Sequence, residues 1–117
     1  VKKILNNHLL GKDITASIID MHGEATSEKM AIGHEFDGKV SLVVGTHTHI
    51  PTADAHILNN GTAYISDLGM CGDYDSIIGL DKNKCLEKFK KKIPHSKIKM
   101  ENFATLDMIE KTLKRIK

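Results

Sequence analysis

At 117 residues, 40% of them hydrophobic and only five aromatic, the chain has the size of one small domain whose core must come from Ile, Leu, Val and Met. Seventeen basic residues against fifteen acidic ones leave a net charge of +2, too little to argue a nucleic-acid partner, and the Lys-rich stretch 84–99 reads as a solvated basic face. No apolar stretch nears the roughly 18 to 20 residues needed to span a bilayer, no signal peptide is evident, and Cys71 and Cys85 fit neither CxxC nor zinc-ribbon spacing; reduced thiols in a cytoplasm are expected.

The chain starts on Val, inside an element already under way, which points to a piece of something longer. Val1, Ile4, Leu5, Leu9 and Leu10 recur at helical spacing, and Gly11 stands where a C-cap glycine would. "ITASIID" at 14–20 has the nearly continuous apolar pattern of a strand covered on both faces. A helix follows through "EKMAIGHEF", capped by Thr26 or Ser27, with Glu28 and Glu35 outward and Met30, Ala31 and Phe36 inward. "DGK" at 37–39 turns the chain into a second buried strand, "VSLVVG" at 40–45, which completes a βαβ unit of an α/β fold.

Asn60-Gly61, set between "AHIL" and "TAYIS", predicts a hairpin. A loop rich in Gly and Asp covers 67–79, and an amphipathic helix covers 81–92 with Leu86 and Phe89 inward. At the end, 96–104 alternates like a strand and 105–117 has a helical period. No repeat or linker divides the chain, so a single domain is expected.

Open α/β sheets place their sites beyond the carboxyl ends of the strands. His22 follows the first such end, and His47 and His49 follow the second in "LVVGTHTH". If the two strands are parallel neighbours, all three imidazoles reach one edge, where neutral nitrogen donors suit zinc, iron or manganese. Glu24, two residues past His22, either orients that imidazole or is an ordinary acid at a helix approach. Asp54 and Asp67 could orient a ligand in the same way, but Asp is common in turns for backbone reasons and no site role is assigned to them; His8, His34, His56 and His95 read as surface or core polar groups.

Three blocks in order, "D-x-H-x-E-A-T-S-E-K", "G-T-H-T-H-x-P-T-A-D" and "G-T-A-Y-I-x-D-x-G-M", resemble the YmdB-like metallophosphoesterases, a branch of the calcineurin-like dimetal phosphoesterases described as acting on cyclic nucleotides. The resemblance runs from about Ile14 to Phe89. It implies a four-layer α/β/β/α sandwich of which residues 1–117 are the C-terminal half. It also implies two metal ions, of Fe, Mn, Zn or Mg, over the sheet edge: His22 and His47 match ligands of one, and His49 a ligand of the other. The family's remaining ligands, an Asp, a bridging Glu and two Asn, and the His acting as general acid, belong to N-terminal motifs that this sequence does not contain. The expected activity is hydrolysis of small nucleotide phosphodiesters such as 2′,3′- or 3′,5′-cyclic nucleotides, with this chain inactive alone. No membrane or stable nucleic-acid partner is expected, while an exposed apolar sheet surface would favour a homo-oligomer. Two other readings are an amidohydrolase-like HxH metal hydrolase, which the chain order disfavours, and a non-catalytic metal-binding or interaction module.

Overall fold

A computed structural model describes residues 1–91, which divide after Gly69 into two compact units. The first begins with helix α1 (Lys2–Asn7) and continues as β1 (Ile18–His22), α2 (Thr26–Glu35), β2 (Leu42–Thr46), β3 (His56–Ile57) and β4 (Ala63–Ile65). The strands form one mixed sheet in the order β1-β2-β4-β3, with β1 and β4 parallel to β2 and β3 antiparallel to β4. The βαβ unit is therefore present, with Ile18 opposite Leu42 and His22 opposite Thr46, and α2 lies against β1 and β2.

Several boundaries move from those expected. Helix α1 stops at Asn7, and Gly11, at φ 79°, serves the turn that follows instead of a helix cap. Strand β1 starts at Ile18, since Ile14 makes only an isolated bridge to Leu10. It is not covered on both faces: its residues alternate between exposed and half-buried, with Ile19 and Met21 on the more covered face and Ile18, Asp20 and His22 on the open one. Strand β2 is central and buried from Val43 to Gly45.

Helix α2 is capped by neither Thr26 nor Ser27; Ala25 is the N-cap and makes no side-chain capping bond, and Glu28 lies in the first turn. Counting back from buried Phe36 by helical steps gives Ile32 and Gly33, then Lys29, and this is the stripe that turns inward. Met30 and Ala31 face out. The apolar core is Phe36, Val40, Val43, Leu58 and Tyr64, with Leu5, Ile19 and Ile32 packed against it.

The hairpin forms, with His56 opposite Tyr64 and Ile57 opposite Ala63. Its loop has three residues: Gly61 N–H donates to Leu58 O at 3.0 Å across Asn59 and Asn60, and Gly61 itself takes φ 99° before Leu58 N–H meets Thr62 O at 2.8 Å. That geometry is a type I turn followed by a left-handed residue, which glycine adopts without strain. The hairpin is clamped to the α2–β2 turn. Asp37 accepts from the Asn60 and Thr62 amides, and the fully buried Thr62 hydroxyl donates to Val40 O at 2.7 Å while accepting from Gly38 N–H.

The second unit, from Met70, opens as a loop and reaches helix α3 (Lys82–Lys91). Asp81 accepts from the Lys84 amide at the helix start, as a capping residue does, and Lys82 pairs with Asp75 at 2.7 Å. Cys85 and Lys88 are buried on α3, whereas Leu86 and Phe89 are exposed, opposite to the expected orientation; the buried face lies one residue round the helix from the apolar pair. Both cysteines are free thiols. The strand and helix expected over 96–117, and His95, lie outside the described residues. No helix among the described residues is long and apolar enough to cross a membrane.

Candidate metal centre

Parallel pairing of β1 with β2 aligns their carboxyl ends, so His22 and the His47–His49 turn share one edge of the sheet. His22 is the last residue of β1 and not a loop residue beyond it. His47 and His49 follow β2 in a turn with positive φ at both, 140° and 68°. L side chains enter that region at a cost of about 1–3 kcal/mol each, so the surrounding bonds must hold them there.

A continuous chain of polar contacts crosses the edge. Thr46 Oγ1 donates to Asp20 Oδ1 at 2.8 Å, and His22 Nδ1 meets Thr46 Oγ1 at 3.1 Å. His22 Nε2 stands 3.1 Å from His47 Nδ1, and His47 Nε2 stands 2.6 Å from Glu24 Oε2. The hydroxyl has given its only hydrogen to Asp20, so His22 Nδ1 must be the donor to Thr46. The Glu24 carboxylate can only accept, so His47 Nε2 carries a hydrogen as well. Each ring then turns an unprotonated nitrogen toward the other. Two facing lone pairs at that distance repel unless a cation, a proton or a metal ion, lies between them.

The spacing also fits a metal. With metal–nitrogen bonds of roughly 2.0–2.1 Å, adjacent ligands on one ion stand about 3 to 3.4 Å apart. The rings are nearly perpendicular, at 74°, so their lone pairs converge without stacking. Glu24 thus braces His47, not the nearer-in-sequence His22. Among the described residues no group of three or more His, Cys, Asp or Glu side chains is placed to hold a metal by itself, so His49 does not complete a three-donor set with His22 and His47. His49 is half-buried and belongs to the same turn.

Behind the turn lies a pair that the sequence did not announce. Lys29 and Asp67 are each 1% exposed and join at 3.1 Å. Asp67 also accepts from the Thr48 amide at 2.9 Å and the Gly69 amide at 2.9 Å. Burial raises the pKa of this carboxyl, but the two amides and the lysine outweigh it and hold the value at about 2. The Asp67 backbone is fastened in turn to Thr52, amide to hydroxyl at 2.9 Å and carbonyl to amide at 3.0 Å. Asp54 closes the far end of the loop, accepting from Thr52 and Ser66; burial raises its pKa, and these bonds outweigh that and lower it. Neither Asp54 nor Asp67 is merely a turn former. The available signal was helical phase: Lys29 sits at the inward position of α2, where an unpaired lysine is rare.

Comparison with known proteins places this edge in context. The model of the YmdB-like protein family matches residues 1–115.

The chain belongs to the YmdB-like family.

Among its relatives, the 2′,3′-cyclic-nucleotide 2′-phosphodiesterase of Bacillus subtilis (strain 168) is 48% identical over 104 residues, covering 85% of this chain and 39% of that protein. Two solved structures share the fold: a hypothetical protein from Thermus thermophilus (43% identity, TM-score 0.67) and a novel phosphatase from Mycoplasma pneumoniae (36% identity, TM-score 0.68). They overlap 80% and 86% of this chain but only 35% and 34% of their own. The YmdB-like chain therefore has the α/β fold expected and spans well under half the length of the proteins it matches. His8, His34 and His56, which the sequence left without a site role, lie apart from the contact chain just described; His56 Nδ1 meets Asp54 O at 2.6 Å within the hairpin region.

Proposed function

We propose that residues 1–117 are the C-terminal half of one metallophosphoesterase domain, and that the whole protein is a metal-dependent phosphodiesterase of small nucleotide esters, 2′,3′- or 3′,5′-cyclic nucleotides. The observation that carries the metal reading is the 3.1 Å approach of His22 Nε2 to His47 Nδ1, with the outer nitrogens held by the Thr46 hydroxyl and the Glu24 carboxylate. The named activity of the Bacillus relative supports the substrate class.

His22 and His47 would hold one of two metal ions and His49 would contribute to the other. When bound, such ions supply Lewis acidity at phosphate oxygens and activate water for in-line attack near neutral pH. The residues of this chain prepare that step. Asp20, through the Thr46 hydroxyl, keeps the hydrogen of His22 on Nδ1 and leaves Nε2 for the ligand. Glu24 does the same for His47 through Nε2 and leaves Nδ1. Both imidazoles remain neutral donors, which preserves charge on the ions for the phosphate. This chain supplies no matched carboxylate to bridge two cations held roughly 3.5 to 4 Å apart, so the second half of the domain must provide it.

The test is substitution in the full-length protein with metal analysis and a cyclic-nucleotide phosphodiesterase assay. His22→Ala, His47→Ala and His49→Ala should each reduce bound metal and lower turnover by more than the roughly ten- to hundredfold that loss of an orienting partner costs. His8→Ala and His95→Ala should leave both unchanged, and Glu24→Gln should act more weakly than any of the three. Equal metal content in the His47 variant and the unmodified protein would reject the assignment.

A further inference from the structure

The buried Lys29–Asp67 pair makes a poor case as simple glue. Two ions withdrawn from water recover their desolvation only through good geometry and further hydrogen bonds, and apolar replacements of similar volume are often as stable. What this pair does that an apolar pair cannot is present a carboxylate oxygen to one particular amide. Asp67 Oδ2 accepts from Lys29 Nζ at 3.1 Å and from Thr48 N–H at 2.9 Å, and Thr48 is the residue between the two histidines with positive φ. The other oxygen accepts from Gly69 N–H, so the carboxylate plane is fixed on both sides.

The strand beneath is shaped to admit the lysine. A Cβ on Gly45 would come within 2.7 Å of Lys29 Cδ and 1.7 Å of the Ser66 carbonyl, so a side chain at position 45 would displace both the lysine stem and strand β4. Lys29 reaches Asp67 from α2, Gly45 from β2 leaves the passage open, and Asp67 follows β4. Three elements thus converge on the amide of one turn residue.

We propose that the Lys29–Asp67 pair is a positioning device for the His47–His49 turn, setting the strained backbone through Thr48 N–H so that the imidazoles are aimed before any ligand binds. The proposal rests on the reading of His47 and His49 as metal ligands, while its central claim, that Asp67 holds the turn, is measurable without metal. Neither Lys29 nor Asp67 belongs to the contact chain through His22, His47 and Glu24. They act through Thr48.

The experiment compares the full-length protein with the double variant Lys29→Met/Asp67→Leu and with Asp67→Asn. Amide exchange is followed by NMR in the metal-free state, and cobalt(II) affinity and visible absorption in the loaded state. The double variant removes both charges together but leaves the Thr48 and Gly69 amides without their acceptor, so its unfolding midpoint should fall only modestly. Even so, exchange at Thr48 should speed up while the β4 amides keep their protection, cobalt affinity should fall at least about tenfold, and the cobalt bands should shift. Asp67→Asn keeps a neutral acceptor for the Thr48 amide but leaves Lys29 buried without its counter-charge, so it should lower the midpoint while changing Thr48 exchange and cobalt binding less, and it carries the test if the double variant does not fold. A destabilised control, Val43→Ala, should lower the midpoint and leave the cobalt spectrum alone. Unchanged Thr48 exchange together with unchanged cobalt affinity in a folded Asp67 variant would overturn the proposal. If His47→Ala binds cobalt as the unmodified protein does, the ligand reading fails, and Thr48 exchange alone then decides whether Asp67 holds the turn.

Discussion

Strands β1 and β2 each deliver a histidine to the same edge, yet by opposite means. β2 lies between two neighbours and is buried through its middle, whereas β1 alternates exposed and half-buried residues and has Ile18 66% exposed. His22 is part of the β1 ladder, paired with Thr46, so regular strand geometry aims its ring. His47 has already left β2, and its position depends on a turn with unfavourable φ that a buried carboxylate fastens. One imidazole comes from a weakly covered but regular backbone, the other from a strained turn on a buried strand. The placement of a ligand and the burial of the element carrying it are separate problems, and this sheet solves them separately.

That contrast can be broken most severely on the β2 side. Gly45→Ala should abolish the folded state or cost more than about 4 kcal/mol, because the new methyl would sit 1.7 Å from the Ser66 carbonyl and neither strand can yield without losing the β2–β4 pairing. Chemical denaturation of the variant checks this, and near-normal stability would mean that β4 is less fixed than its register implies. A smaller effect is expected with acid. Asp67 titrates at about 2 in the fold, against the usual 3.8, so its contribution of about 2 kcal/mol is fully present above about pH 4 and is lost as pH falls toward about 2. The unfolding midpoint should drop over that window, and Asp67→Asn should flatten the drop. The least effect belongs to β1: Ile18→Ser should change the stability of this chain by no more than about 0.5 kcal/mol, since the side chain is largely in water already. A larger loss in the full-length protein than in this chain would show that another segment covers β1 there.

Period and punctuation carried much of this fold in the sequence. The apolar runs at 14–20 and 40–45, the intervening helix and Asn60-Gly61 led to the βαβ unit and the hairpin, because each signal is local and each element answers to its own residues. The two histidine positions at strand ends were readable for the same reason. Burial was read less well. Met30, Ala31, Leu86 and Phe89 were expected inside as apolar residues, whereas the inward stripes hold Lys29 and Lys88. Lys29 goes inside because Asp67, 38 residues on, meets it, and nothing near Lys29 in sequence foretells that partner; Lys88 Nζ is buried with no hydrogen-bond partner among the described residues. Likewise Glu24 was read beside His22 on spacing alone; the turn after β2 brings His47 to it instead.

The positive φ values at His47 and His49 set a bias on how this chain can vary. At those positions a glycine would relieve the backbone, so a mutation that erases a proposed metal donor is also one that makes the ligand-free fold easier to hold. Stability alone gives no reason to keep imidazoles there. On the proposed reading of both as metal ligands, two imidazoles one residue apart are kept in costly backbone for what their side chains do, at the expense of the ligand-free fold.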